Sequence, residues 1–197
     1  MKICSILALL LLSTLWSSAQ LASMQLPKTL TWVEESSQRD SRGNITRTCS
    51  VYSIEGADWR HEFTNQEAEI AITVCRNNTV VSTQTGAAPS GPIPELTKIY
   101  EALSSRAKFE VVDIIGGTGY SRYRESLAGG GSRLIWMDRA MGFPRRISTT
   151  YPDGSTQEQS LRVITVDSAN QRRLFDSGTL YPFFGHQLDE WHARVSK

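Results

Sequence analysis

Hydrophobic and polar residues alternate with a period of two through most of the chain. Turn-forming residues break the alternation at short intervals, which predicts an antiparallel meander. Leu30 and Trp32 mark a first strand, and Ser41-Arg42-Gly43-Asn44 turns it into a second that holds Ile45, Cys49 and Val51. Glu55-Gly56-Ala57 leads to a third, in which Trp59, His61 and Phe63 alternate with Asp58, Arg60 and Glu62. A fourth sets Ala68, Ile70, Ile72 and Val74 against Glu67, Glu69, Ala71 and Thr73. Arg76-Asn77-Asn78 is then a tight hairpin signal before Val80 and Val81. One face of this half reads as apolar and the other as solvated.

The period changes after a loop over 85–94 that is rich in Ala, Gly, Ser and Pro. Leu96, Ile99, Tyr100 and Leu103 fall at helical spacing, and Pro94 suits a first turn, so an amphipathic helix is expected over 94–105. Strands resume at 109–115, where Val111 and Val112 make the run apolar on both sides, and again at 120–127. A hairpin spans 134–154, a last strand 159–166, and Leu188, Trp191 and Val195 suggest a short helix after Gln187. Nine or ten strands around one central helix predict an α+β fold. Its core is a strongly curved antiparallel sheet, an unclosed β-barrel, with the helix on the concave face.

Lys2, the apolar run 3–12 and the small residues Ser17, Ser18 and Ala19 have the order of a secretory signal peptide. Cleavage after Ala19 leaves 178 of the 197 residues, enough for one domain over 20–186 and a short helix or tail over 187–197. Of 21 basic residues Lys2 departs with the leader, so 20 then face 20 acidic ones. That balance argues against nucleic acid as a partner, since counterion release needs a basic surface. The expected location is periplasmic or secreted, with at most peripheral contact to a membrane. Two cysteines of the exported chain, Cys49 and Cys75, are candidates for a disulfide. Alternation places them on opposite faces, so two free thiols are the alternative.

Catalytic chemistry is thinly represented. His61, His186 and His192 have no partners at metal-ligand spacing, C-x-x-C is absent, and neither a metal nor a cofactor is expected. His61 reads as a packed residue between Trp59 and Phe63. Leu174-Phe175-Asp176-Ser177-Gly178-Thr179 resembles the active-site loop of aspartic proteases, where two Asp carboxylates share a proton. The loop occurs once, so such an enzyme would need a homodimer. Arg122, Arg124, Arg133, Arg145 and Arg146 fall on consecutive strands. They form either a solvated outer face or a site for an anionic headgroup or acidic partner.

The hairpin carries the most specific signal. Asp138 is placed to cap nearby backbone N–H groups, Gly142 tolerates positive φ, and Pro144 restarts an extended chain. The spacing W-x-D-x-x-x-G-x-P-x-R, formed by Trp136, Asp138, Gly142, Pro144 and Arg146, resembles the outer-membrane lipoprotein-sorting family. That family comprises the periplasmic LolA/LolB-like carriers and their RseB-like sensor relatives. The resemblance implies binding of an acyl chain, lipid or lipoprotein segment without covalent chemistry. On this chain the apolar groove is expected from Leu30, Trp32, Trp59, Phe63, Ile70, Ile72 and Trp136 on one sheet face, with Leu96, Tyr100 and Leu103 of the helix above them. The other reading is an envelope stress sensor or scaffold that docks another protein through its outer sheet face.

Overall fold

The computed structural model describes residues 27–84, 91–176, 178 and 180–196. The expected leader at 1–19 lies outside the described residues. Ten strands form one antiparallel sheet: β1 (Thr29–Arg39), β2 (Ile45–Glu55), β3 (Asp58–Asn65), β4 (Ile70–Arg76), β5 (Thr79–Ser82), β6 (Lys108–Ile115), β7 (Thr118–Ser126), β8 (Ser132–Asp138), β9 (Pro144–Thr150) and β10 (Thr156–Ile164). Their order is β5-β4-β3-β2-β1-β10-β9-β8-β7-β6, open at both ends. Two five-strand meanders are therefore joined where the first strand meets the last, from Thr31 opposite Ile164 to Arg39 opposite Thr156. The α+β class, the unclosed sheet and the helix packed on it are as the alternation predicts. Asn77 and Asn78 both adopt positive φ, 50° and 62°, as a two-residue turn matched to strand twist requires.

Helix α1 (Ile93–Ser105) buries Leu96, Ile99, Tyr100, Ala102 and Leu103 against the inner face of the sheet. There it meets Trp32, Ile54, Trp59, Tyr123, Ile135, Met137, Phe143, Ile147 and Leu161 in one core. The outer face has a second core that the sequence did not signal. Val33, Cys49 and Val51 are covered by Leu174, Phe175, Phe184, Leu188 and Trp191. These come from α2 (Ser168–Leu174), α3 (Gly185–Val195) and the segment between them. The middle of the outer face of β1 to β3 is thus not solvated, because the C-terminal chain covers it.

Arg60 and Glu62 lie under that cover with fully buried side chains, Nε to Oε1 at 2.6 Å. Arg60 also donates to the carbonyls of Leu174, at 3.1 Å, and Tyr181, and its guanidinium lies 5.3 Å from the centre of the Phe183 ring. Glu62 accepts the backbone N–H groups of Phe183 and Phe184 at 2.7 and 2.9 Å. Every charged atom of the pair thereby finds a partner, as burial demands. Cys49 belongs to the outer core and Cys75 to the inner, and both are free thiols. Burial pushes the Cys49 thiol up to about 12.

Candidate functional site

The inner face is paved by rings that cross three strands. Trp32 stacks on Tyr52 at 5.1 Å and Tyr52 on His61 at 4.4 Å, while Phe143 meets Trp32 edge-on at 5.8 Å. Beside this paving, between α1 and the sheet, lies a cavity of about 320 Å³. Trp32, Leu96, Ile99, Ile147 and Leu161 give it apolar walls; Glu34, Arg133, Thr149, Tyr151, Gln157 and Gln159 give it polar ones. The polar groups are tied to one another. Gln159 Nε2 donates to Glu34 Oε1 at 2.8 Å, Tyr151 Oη to Gln157 Oε1 at 2.9 Å, and Gln157 Nε2 to Ser36 Oγ at 3.3 Å. Desolvation raises the pKa of Glu34 above the usual carboxylate range, with the Gln159 hydrogen bond opposing it.

The cavity roof is held by the turn that follows β8. Asp138 Oδ1 accepts the N–H groups of Ala140 and Met141 at 2.9 and 3.1 Å, and Gly142 takes φ 62°, as the sequence predicts. Tyr100 Oη of α1 donates to the Gly142 carbonyl at 2.9 Å. The motif turn is therefore a mooring for the helix. Gly91 sits at the other end of the helix with φ 76°, and a Cβ there would come within 2.6 Å of the Trp59 ring.

The expected groove residues separate into four groups. Trp32 and Leu96 line the cavity, whereas Trp59, Tyr100 and Leu103 are packed into the solid part of the inner core. Leu30 packs at the margin of that core, and Phe63 lies on the same face with its ring 6.2 Å from His61. Ile70, Ile72 and Trp136 are not on this face. Ile72 is opposite Glu62, and Ile70 opposite Thr64, both outward-facing positions of β3. Trp136 is opposite Arg122 and Arg146, out of step with the inward Ile135. It lies under Arg146, 4.9 Å from guanidinium to ring, and gives its indole N–H to Asp113 at 2.8 Å. Leu134-Ile135-Trp136-Met137 is apolar on both sides of β8, so alternation alone does not say which pair points inward. Glu34, Gln157 and Gln159 were missed as site residues. Glu34 had a signal, being in step with Leu30 and Trp32 on an apolar face.

The arginines also divide. Arg122 pairs with Glu110 and Asp113 at 3.0 and 3.1 Å, Arg124 with Glu110, and Arg146 with Glu158 at 3.1 Å, all on the outer face. Arg133 instead lines the inner cavity and reaches Glu125 at 3.4 Å. His61 Nε2 lies 3.0 Å from Ser50 Oγ, but desolvation lowers the imidazole pKa to about 4, making it a weak base. Asp176 is exposed, and its Oδ1 accepts the Gly178 N–H at 3.0 Å in a turn remote from the inner cavity. Among the described residues no cluster of three or more His, Cys, Asp or Glu is arranged to hold a metal ion, and no helix is long and apolar enough to cross a membrane.

No protein-family model and no curated protein matches the sequence. Among solved structures, an uncharacterized conserved protein from Thermus thermophilus matches with TM-score 0.47 and 11% identity, over 86% of this chain and 92% of that one. A chain of the Pseudomonas aeruginosa MucA/MucB complex matches with TM-score 0.48 and 11% identity, over 79% of this chain and 59% of that one. A LolA superfamily protein from Nitrosomonas europaea matches with TM-score 0.40 and 6% identity, over 83% and 97% of the two chains. The Nitrosomonas europaea protein carries the name of the superfamily that the Trp136-to-Arg146 spacing resembles. Every score is below 0.5, so what this chain binds is argued from its own residues.

Proposed function

We propose that the protein is exported to the periplasm or beyond and acts as a non-catalytic binding protein. It holds the acyl chain of a lipid or lipoprotein in the cavity between α1 and the inner sheet face. The supporting observation is the two-sided lining of that cavity. An acyl chain lies against Trp32, Leu96, Ile99, Ile147 and Leu161, gaining about 0.8 kcal/mol for each methylene removed from water. Its polar end meets Glu34, Gln157 and Gln159. The volume of about 320 Å³ is at the small end of ligand sites, roughly 300–1,000 Å³, which suits a single chain. The groove on this reading is narrower than the one expected from the sequence, since Trp59, Tyr100 and Leu103 are occupied with packing. Docking of a partner through the outer arginines has less support, because Arg122, Arg124 and Arg146 already have carboxylates of their own.

Native mass spectrometry of the protein as isolated, together with displacement of a hydrophobic fluorescent probe by fatty acids, tests the reading. Wild-type protein is expected to carry or take up one amphiphile, and Ile99→Trp, which fills the cavity, is expected to lose it. A wild-type protein that carries no amphiphile and leaves the probe unshifted would refute the proposal.

A further inference from the structure

The sheet ends at β6, which among the described residues pairs along one edge only, with β7. Phe109, Val111, Val112, Ile114 and Ile115 on this strand are 46, 38, 38, 77 and 52% exposed. They are five of the ten large apolar side chains exposed among the described residues. Both sides of the strand contribute. Phe109 and Val112 share the register of the inward Tyr123 and Ser121, and Val111 that of the outward Arg122. An edge of this kind is ordinarily blunted by charge. Here one exposed lysine, Lys108, stands at the start of the strand, and the two carboxylates are turned back over their own sheet. Glu110 is held by Arg122 and Arg124, and Asp113 by Arg122 at 3.1 Å and the Trp136 N–H at 2.8 Å.

We propose that β6 pairs antiparallel with β6 of a second copy, about a two-fold axis at Val112, joining two sheets into one. A strand that fits this edge must be extended, about eight residues long and apolar on both sides, and β6 itself has those properties. Centring the axis on Val112 sets it against the partner's Val112. Asp113 then faces the partner's Val111, so the carboxylates are not opposed. The exposed fractions amount to about two and a half whole side chains per copy. At somewhat over 150 Å² each that is roughly 400 Å² per copy, or about 800 Å² for the pair before backbone is counted. Stable complexes bury about 1,200 Å² or more. The dimer is accordingly weak and reversible, at the low end of specific interfaces.

Sedimentation velocity of the protein as isolated, across micromolar concentrations, tests this. Wild type and Val80→Lys, which charges the opposite edge, are expected to show the same monomer–dimer equilibrium, and Val112→Lys to weaken it about tenfold or more. Val112→Cys tests the axis without adding a charge. Directly opposed residues lie about 4.5–5.5 Å apart at Cα, within disulfide reach, so mild oxidation is expected to give a covalent dimer. Cys49 and Cys75 are buried and do not compete. A wild type that stays monomeric throughout, even one that captures an extended peptide at β6, overturns the proposal. So does a dimer indifferent to Val112→Lys, or a Val112→Cys protein that does not cross-link.

Discussion

Replacing Glu62 by Gln keeps the volume of the side chain and removes its charge, which leaves the Arg60 guanidinium buried without a counter-ion. Breaking a pair of this kind costs about 3–5 kcal/mol. A domain of this size has roughly 5–15 kcal/mol in total, so the loss is a fifth or more of its stability. A Gln oxygen also cannot serve all three donors that now converge on Glu62: Arg60 Nε and the N–H groups of Phe183 and Phe184. Urea denaturation should therefore show a midpoint far below wild type with little change in slope. Native-state hydrogen exchange should speed up first at Phe183 and Phe184, because the pair holds the C-terminal cover rather than the strand it sits on. The double variant Arg60→Met/Glu62→Leu sharpens the point. It removes the stranded cation but also leaves the carbonyls of Leu174 and Tyr181 and two amides without partners, at about 1–3 kcal/mol for each that stays dry. Four such groups together cost about 4 kcal/mol or more, so the double variant should be at least as destabilised as Glu62→Gln. A loss under about 1 kcal/mol for Glu62→Gln, or unchanged exchange at Phe183 and Phe184, would refute the reasoning.

Two further outcomes follow from the inner face. Tyr100→Phe deletes the hydrogen bond from α1 to Gly142, and thermal unfolding should register a loss of about 1 kcal/mol with the fold retained. His61 folds as a neutral imidazole whose pKa is lowered from 6.5 to about 4 by desolvation, so its contribution is complete above pH 6.5 and is lost as pH falls through 4. At about 1.4 kcal/mol per pH unit the loss comes to a little over 3 kcal/mol, and His61→Phe should flatten that limb of a stability–pH profile.

Much of the architecture was legible because two periods carry it. Strict alternation in β1 to β4, the Asn77-Asn78 turn and the helical spacing of Leu96, Ile99, Tyr100 and Leu103 each match one local geometry. Helix α1 starts at Ile93, one residue before the expected Pro94. The misplacements arose where alternation stops being one-sided. Ile70 and Ile72 form the apolar row of their strand, yet that row faces outward, since the register with β3 sets Ile72 beside Glu62. Reading Arg60 and Glu62 as solvated was reasonable for an isolated strand. Only contacts more than a hundred residues away along the chain bury them. The cavity was illegible for a related reason. Its polar wall is assembled from β1 and the β8–β10 end of the chain, and no local pattern announces the pairing of β1 with β10 that brings them together.

The junction between the first and last strands sets the order in which the molecule can assemble. Nine residue pairs from Thr31–Ile164 to Arg39–Thr156 weld the two meanders, and each bridges well over a hundred residues of chain. β1 consequently waits with one side bare until nearly the whole polypeptide has arrived. Closure of so large a loop is slow, because its entropy is lost before the contacts form. The seam that completes the sheet is therefore the last part of it to form.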